Sequence, residues 1–189
     1  ACIANYTRLE SFQDDHTIQA VADHRNITIK ADRIVNATGV WVDEILQKHD
    51  PETPRLVRPS KGIHLVLSRE RLPMEGAVIL QSPEDARVIF LIPWDDRIVV
   101  GTTDTDYDGD IDHPRATDED IEYLLELLNR HLPEGQYTRK DILSTYAGLR
   151  PLIQSNSENP SQASRDHEII DDGIIIFEHR YREMTRDAL

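Results

Sequence analysis

The sequence has little of several things that mark other protein classes. Cysteine occurs once, as Cys2, so the chain has no internal disulfide framework and no need of an oxidising compartment. No apolar run approaches the roughly 18 residues that cross a bilayer; the longest, at 88–93 and 173–177, are strand-sized. Basic residues are outnumbered, 21 Lys and Arg against 35 Asp and Glu, for a net charge of −14. That sign disfavours nucleic acid as a partner, because phosphate attracts basic patches. There is no G-x-G-x-x-G, P-loop, G-x-S-x-G or Cys/His cluster. His113, His131, His167 and His179 lack zinc spacing, so no metal is expected.

What is present suffices for a core. The chain has 189 residues, 39% of them hydrophobic, enough for one ordinary domain or two small ones. It starts at Ala1 without Met, shows no basic-then-apolar leader, and ends within a helix-like stretch, 181–189. We therefore expect a piece of a longer protein, the alternative being a complete small protein with a trimmed start.

β-branched enrichment and partial alternation predict strands at 18–22, 27–30 and 33–37, and a short helix at 41–49. Pro51, Pro54 and Pro59 read as a stiff extended connection. Further strands are expected at 63–67, 77–80, 87–93 and 97–101, the last two forming a hairpin across Trp94-Asp95-Asp96. The spacing of Ile121, Leu124, Leu125 and Leu128, with Thr117 as N-cap and acids in the first turn, predicts a helix over 118–131. Strands at 142–146, 168–170 and 173–177 complete the reading. The fold class is α+β, with a mixed or antiparallel sheet and helices on one face.

Four motifs carry chemistry, each with a plainer reading beside it. Asn36-Ala37-Thr38-Gly39 is a small-residue corner at a strand end, open to a ligand or merely a strand terminus. Arg58-Pro59-Ser60-Lys61-Gly62-Ile63-His64 leads two cations and a histidine into a strand. His64 shares a face with Val66, opposite Ile63, Leu65 and Leu67, and is a proton-transfer group or a packed core histidine. The run from Asp104 to Asp112 has EF-hand carboxylates at positions one, three and five and Gly109 at six. Position twelve is Arg115 and a strand precedes it, so a solvated acidic loop is favoured over calcium binding. Arg150, in Gly148-Leu149-Arg150-Pro151-Leu152, and Arg165, in Ser164-Arg165-Asp166-His167, suit bidentate capture of phosphate or carboxylate, or salt bridges to acids.

In order along the chain, these motifs together with Ile92-Pro93-Trp94-Asp95, Gly101-Thr102-Thr103-Asp104 and Tyr146-Ala147 resemble the FAD-dependent glycerol-3-phosphate dehydrogenases of the D-amino-acid-oxidase-like flavoprotein group. The resemblance covers essentially the whole chain. It implies that 1–45 is part of an FAD-binding domain, 46–171 a substrate-binding domain, and 172–189 a return to the first. The glycine-rich βαβ unit that holds the FAD pyrophosphate in that family would precede Ala1. The family's Gly-Gly-Lys-x-Thr-Thr segment is missing between 174–179 and Arg180-Tyr181-Arg182, either deleted or, as we favour, an omitted mobile stretch.

The resemblance further implies oxidation of sn-glycerol 3-phosphate to dihydroxyacetone phosphate, with a hydride passing to FAD and electrons to quinone or another acceptor. His64 and Arg150 would be catalytic, with His64 either the base or a hydrogen-bond donor to substrate. Arg150, Arg165 and Lys61 would bind substrate. Ala37, Thr38, Gly39, Trp41, Thr102 and Thr103 would lie along the flavin. The expected location is cytoplasmic, at the inner face of the membrane, with the oligomeric state open. Alternatives are a related FAD-dependent amino-acid or 2-hydroxy-acid oxidoreductase and a non-catalytic or calcium-binding module.

Overall fold

The computed structural model describes residues 2–84, 87–153, 169–172 and 174–177, the last two segments by backbone only. The chain divides into two units. Among the described residues, one comprises 2–58, 151–153, 169–172 and 174–177, and the other 59–150. Among the described residues the elements are mostly strands, with two α-helices, an α+β chain as the sequence predicts.

The first unit holds a meander of β1 (Thr7–Asp14), β2 (Thr17–Ala22) and β3 (Arg25–Lys30), each antiparallel to the next. β1 is absent from the sequence reading. Its TRLESFQD offers only Leu9 and Phe12 as apolar residues, and its pairing with β2 decides its structure. A second sheet joins β4 (Ile34–Asn36) to β11 (Ile169–Asp172) and β12 (Ile174–Phe177), with β12 parallel to β4 and antiparallel to β11. A 3-10 turn, Gly39–Trp41, then leads into α1 (Val42–His49), which buries Val42 and Leu46 against Val57. Asp43 fixes the following connection by accepting from the Leu56 and Val57 amides at 2.9 and 3.2 Å.

The second unit is built on one sheet in the order β10 (Ile142–Ile153), β5 (Val57–Ser68), β8 (Arg97–Gly101), β7 (Val88–Trp94) and β6 (Val78–Gln81), with β9 (Thr105–Asp106) also pairing with β5. β7 and β8 turn through Asp95 and Asp96, the expected hairpin. β5 is longer than predicted and includes Pro59. Proline gives up only its donor, and the Pro59 carbonyl still accepts from the Tyr107 amide at 3.0 Å. β10 runs on through Pro151, which an edge strand tolerates.

α2 (Asp118–His131) begins at Thr117 in a full capping box with Asp120. Its Leu124, Leu125, Leu127 and Leu128 pack with Ile63, Leu65, Leu67, Ile89, Leu91, Ile98 and Val100, all nearly inaccessible. At roughly 1.5–3 kcal/mol for each such side chain, this one-sided core is the main stabilising contact of the unit. It also commits the odd-numbered residues of β5 to the helix side.

Candidate active site

Because side chains alternate along a strand, the even-numbered residues of β5 face away from that core. His64 and Gly62 lie on this face. Register places Gly101 of β8 opposite His64, then Phe90 of β7 and Ile79 of β6 in the same row. Phe90 and Ile79 are solvent-exposed, so the face is open beside the histidine.

Two glycines seat the two key side chains. The His64 ring lies against Gly101, where a Cβ would stand 2.5 Å from its Cδ2. It also stacks on Tyr146, with ring centroids 4.7 Å apart and planes 12° from parallel. Burial first, and the Arg150 charge second, hold the His64 pKa below its ordinary value of 6.5. The imidazole is therefore neutral near pH 7 and able to take a proton.

Arg150 reaches from β10 across Gly62, where a Cβ would stand 2.6 Å from both Nη1 and Nη2. Its Nη1 donates to the Thr103 carbonyl at 3.3 Å and its Nη2 to Thr102 Oγ1 at 3.2 Å. Asp104 Oδ1 lies 3.6 Å from Nη1 and accepts from Ser60 Oγ. The guanidinium is thus fixed by the three residues that follow β8, while its side chain keeps 36% of its surface accessible. A proton acceptor beside a fixed, reachable cation can bind an anion and deprotonate a group attached to it.

The structure places other expected site residues elsewhere. Lys61 points to the helix side, 6% exposed, with Nζ 2.5 Å from Asp120. It is not brought to the His64 face, because odd and even positions of β5 oppose one another. Thr103 is 1% exposed and its hydroxyl accepts from the Ile63 amide at 3.0 Å; with Thr102 it contacts Arg150. Arg165 lies outside the described residues. The acidic loop is divided. Asp104 faces Ser60, Asp110 holds His113 at 3.0 Å, and no group of acidic, His and Cys side chains forms a metal site among the described residues.

In the first unit, Ala37, Thr38 and Gly39 occupy the carboxyl end of β4. Buried Asn36 shapes this corner, donating from Nδ2 to the Val42 carbonyl at 3.0 Å and accepting from Thr38 Oγ1 at 2.7 Å. Gly39 has φ +62°, and open space where a Cβ would be. Ala37, Thr38 and Trp41 are exposed. The carboxyl end of a strand in a parallel pair is where open α/β sheets receive ligands, and this corner is small and accessible.

Sequence reasoning passed over Ser60, Asp104 and Tyr146 as partners of the site, and Gly62 and Gly101 as its seats. The alternation that puts Gly62 on the His64 face was readable. The seat at Gly101 depends on the β5–β8 register.

The chain is similar to several known proteins. It is 38% identical over 183 residues to an alpha-glycerophosphate oxidase of Streptococcus pyogenes, covering 92% of this chain and 30% of the relative. It is 40% identical over 174 residues to an aerobic glycerol-3-phosphate dehydrogenase of Staphylococcus aureus, covering 88% and 31%. Its structure matches that of the FAD-complexed glycerol-3-phosphate dehydrogenase from Bacillus halodurans with a TM-score of 0.77 at 36% identity, covering 92% and 34%. The chain thus spans about a third of the length of these relatives. The profile of FAD-dependent oxidoreductases matches residues 1–177, nearly its whole extent. The chain belongs to the FAD-dependent oxidoreductase family.

Proposed function

We propose that the protein carrying this chain oxidises sn-glycerol 3-phosphate to dihydroxyacetone phosphate, with FAD as cofactor. Bound FAD supplies the hydride acceptor. The observation that carries the reading is Arg150, fixed over Gly62, with His64 stacked on Tyr146 on the same open sheet face. Arg150 binds the substrate anion and orients it through charge-assisted hydrogen bonds. His64 takes the proton of the C2 hydroxyl. Burial and the stack on Tyr146 limit rotation of its ring, so the accepting nitrogen keeps one direction. Arg165 is proposed as a second phosphate contact.

Ala37, Thr38, Gly39 and Trp41 would hold part of the flavin. In this reading 1–45 and 172–189 belong to the flavin-binding domain and 46–171 to the substrate domain. The parallel pairing of β12 with β4 supports the return segment. Quinone or another acceptor as electron sink, and a cytoplasmic location at the inner membrane face, belong to the same proposal. Among the described residues no helix is long and apolar enough to cross a membrane.

The test is dye reduction by the full-length protein with glycerol 3-phosphate, sarcosine and 2-hydroxyglutarate supplied in turn. Turnover with the first is expected. Turnover with either of the others and not with the first overturns the assignment.

A further inference from the structure

We propose that Asp104, held in place by Ser60, is a positioning residue that orients Arg150 before substrate arrives. The inference rests on Arg150 being the anion-binding residue of the proposed function. Asp104 is 8% exposed and Ser60 is wholly buried, so neither contributes to the outer surface of the site. Ser60 Oγ donates to Asp104 Oδ1, and the same oxygen stands 3.6 Å from Arg150 Nη1.

The backbone around them is constrained on both sides. β9 begins directly after Asp104 and pairs Lys61 with Thr105 and Ser60 with Asp106. The opposite face of β5 is anchored through the buried Lys61–Asp120 pair. Asp104 therefore sits in the short link between β8 and β9, two strands that both pair with β5.

Its effect on Arg150 follows from two physical facts. An arginine side chain has many rotamers, and freezing them on binding costs affinity. A carboxylate fixed beneath the guanidinium removes that freedom during folding instead. The neutral contacts to Thr102 Oγ1 and the Thr103 carbonyl set distance, but they lack the charge that makes one orientation dominant. Asp104 acts through Arg150 and is not itself a catalytic residue.

The experiment uses the full-length holoenzyme. Asp104→Asn keeps the shape and an acceptor for Ser60 while removing the charge. It is expected to raise KM for glycerol 3-phosphate about tenfold with kcat changed by less than about twofold. In an Arg150→Lys background the same substitution is expected to change KM little, because lysine lacks the fork that Asp104 orients. Ser60→Ala, a smaller change, is expected to shift KM in the same direction and serves if Asp104→Asn fails to fold. Crystal structures of wild type and Asp104→Asn provide a readout independent of activity: the guanidinium should leave its place over Gly62. An unmoved guanidinium, an unchanged KM, or equal effects in the wild-type and Arg150→Lys backgrounds would each overturn the proposal. If the wild type does not oxidise glycerol 3-phosphate, the functional reading fails, and the crystallographic comparison still decides this one.

Discussion

Gly62→Ala is the sharpest probe of the site, because the added methyl would fall against the Arg150 guanidinium. Gly62 is not in the left-handed region, so alanine adds no backbone strain. Its Cβ would stand 2.5 Å from Thr102 Oγ1 and 2.6 Å from both terminal nitrogens of Arg150. Ordinary contact begins at 3.4 Å, so the guanidinium must retreat from 2.6 Å to at least that distance. A misplacement near 1 Å costs on the order of 100-fold in rate, or about 2.7 kcal/mol of transition-state stabilisation. We expect Gly62→Ala to lower kcat/KM for glycerol 3-phosphate by roughly that factor in steady-state dye-linked assays. Arg150→Ala alone removes a charge-assisted contact worth about 1.5–3 kcal/mol, chiefly in KM. Once Arg150 is alanine, the methyl no longer meets the two guanidinium nitrogens, so the second substitution should cost far less in kcat/KM than Gly62→Ala costs in the wild type. Full activity in Gly62→Ala, or losses that simply add in the double variant, would refute the seating of Arg150.

Other expectations concern proton affinity and stability. His64 is held below its ordinary pKa of 6.5 by burial and by Arg150, so below pH 6.5 the unfolded chain takes up the proton more readily than the folded one. Its contribution to stability is complete above that pH and is lost as pH falls through the folded-state value. NMR titration of the imidazole should place its pKa below 6.5, and Arg150→Ala should raise it without restoring the ordinary value, since burial is the larger cause. Asp120→Ala strands the buried Lys61 ammonium and breaks the Thr117 capping box; it should cost about 3–5 kcal/mol in denaturant unfolding. Lys61→Met should cost less, because Asp120 keeps its bonds to Thr117 at the helix N-terminus. Asn36→Ala leaves the Val42 carbonyl and Thr38 hydroxyl without their buried partner, at about 1–3 kcal/mol. FAD affinity, measured by flavin fluorescence, should fall in that variant; an unchanged affinity would remove the corner from the flavin site.

Local rules made much of the architecture legible. α2 spans the predicted 118–131 and starts at the predicted cap, because leucine spacing, acidic first turn and Thr117 all specify the same helix. The hairpin at 95–96 was likewise visible in two flanking apolar runs. β1 was not, since its polar sequence becomes a strand only through its partner β2. The extension of β5 through Pro59 escaped for a related reason: a proline costs a strand one donor, and whether the sheet needs that donor depends on the neighbouring strand.

Residue types and alternation along the chain were sufficient to identify an α+β fold, to put His64 opposite the aliphatic residues of β5, and to single out Arg150 as an anion-binding candidate. Tertiary structure decided which cation serves which face. It turned Lys61 into a buried partner of Asp120, set Thr102, Thr103 and Asp104 around Arg150, and laid His64 against Gly101 and Tyr146. The division has a physical cause. Periodicity is a property of consecutive residues, whereas ion pairs and close glycine contacts arise between strands whose register no single segment specifies.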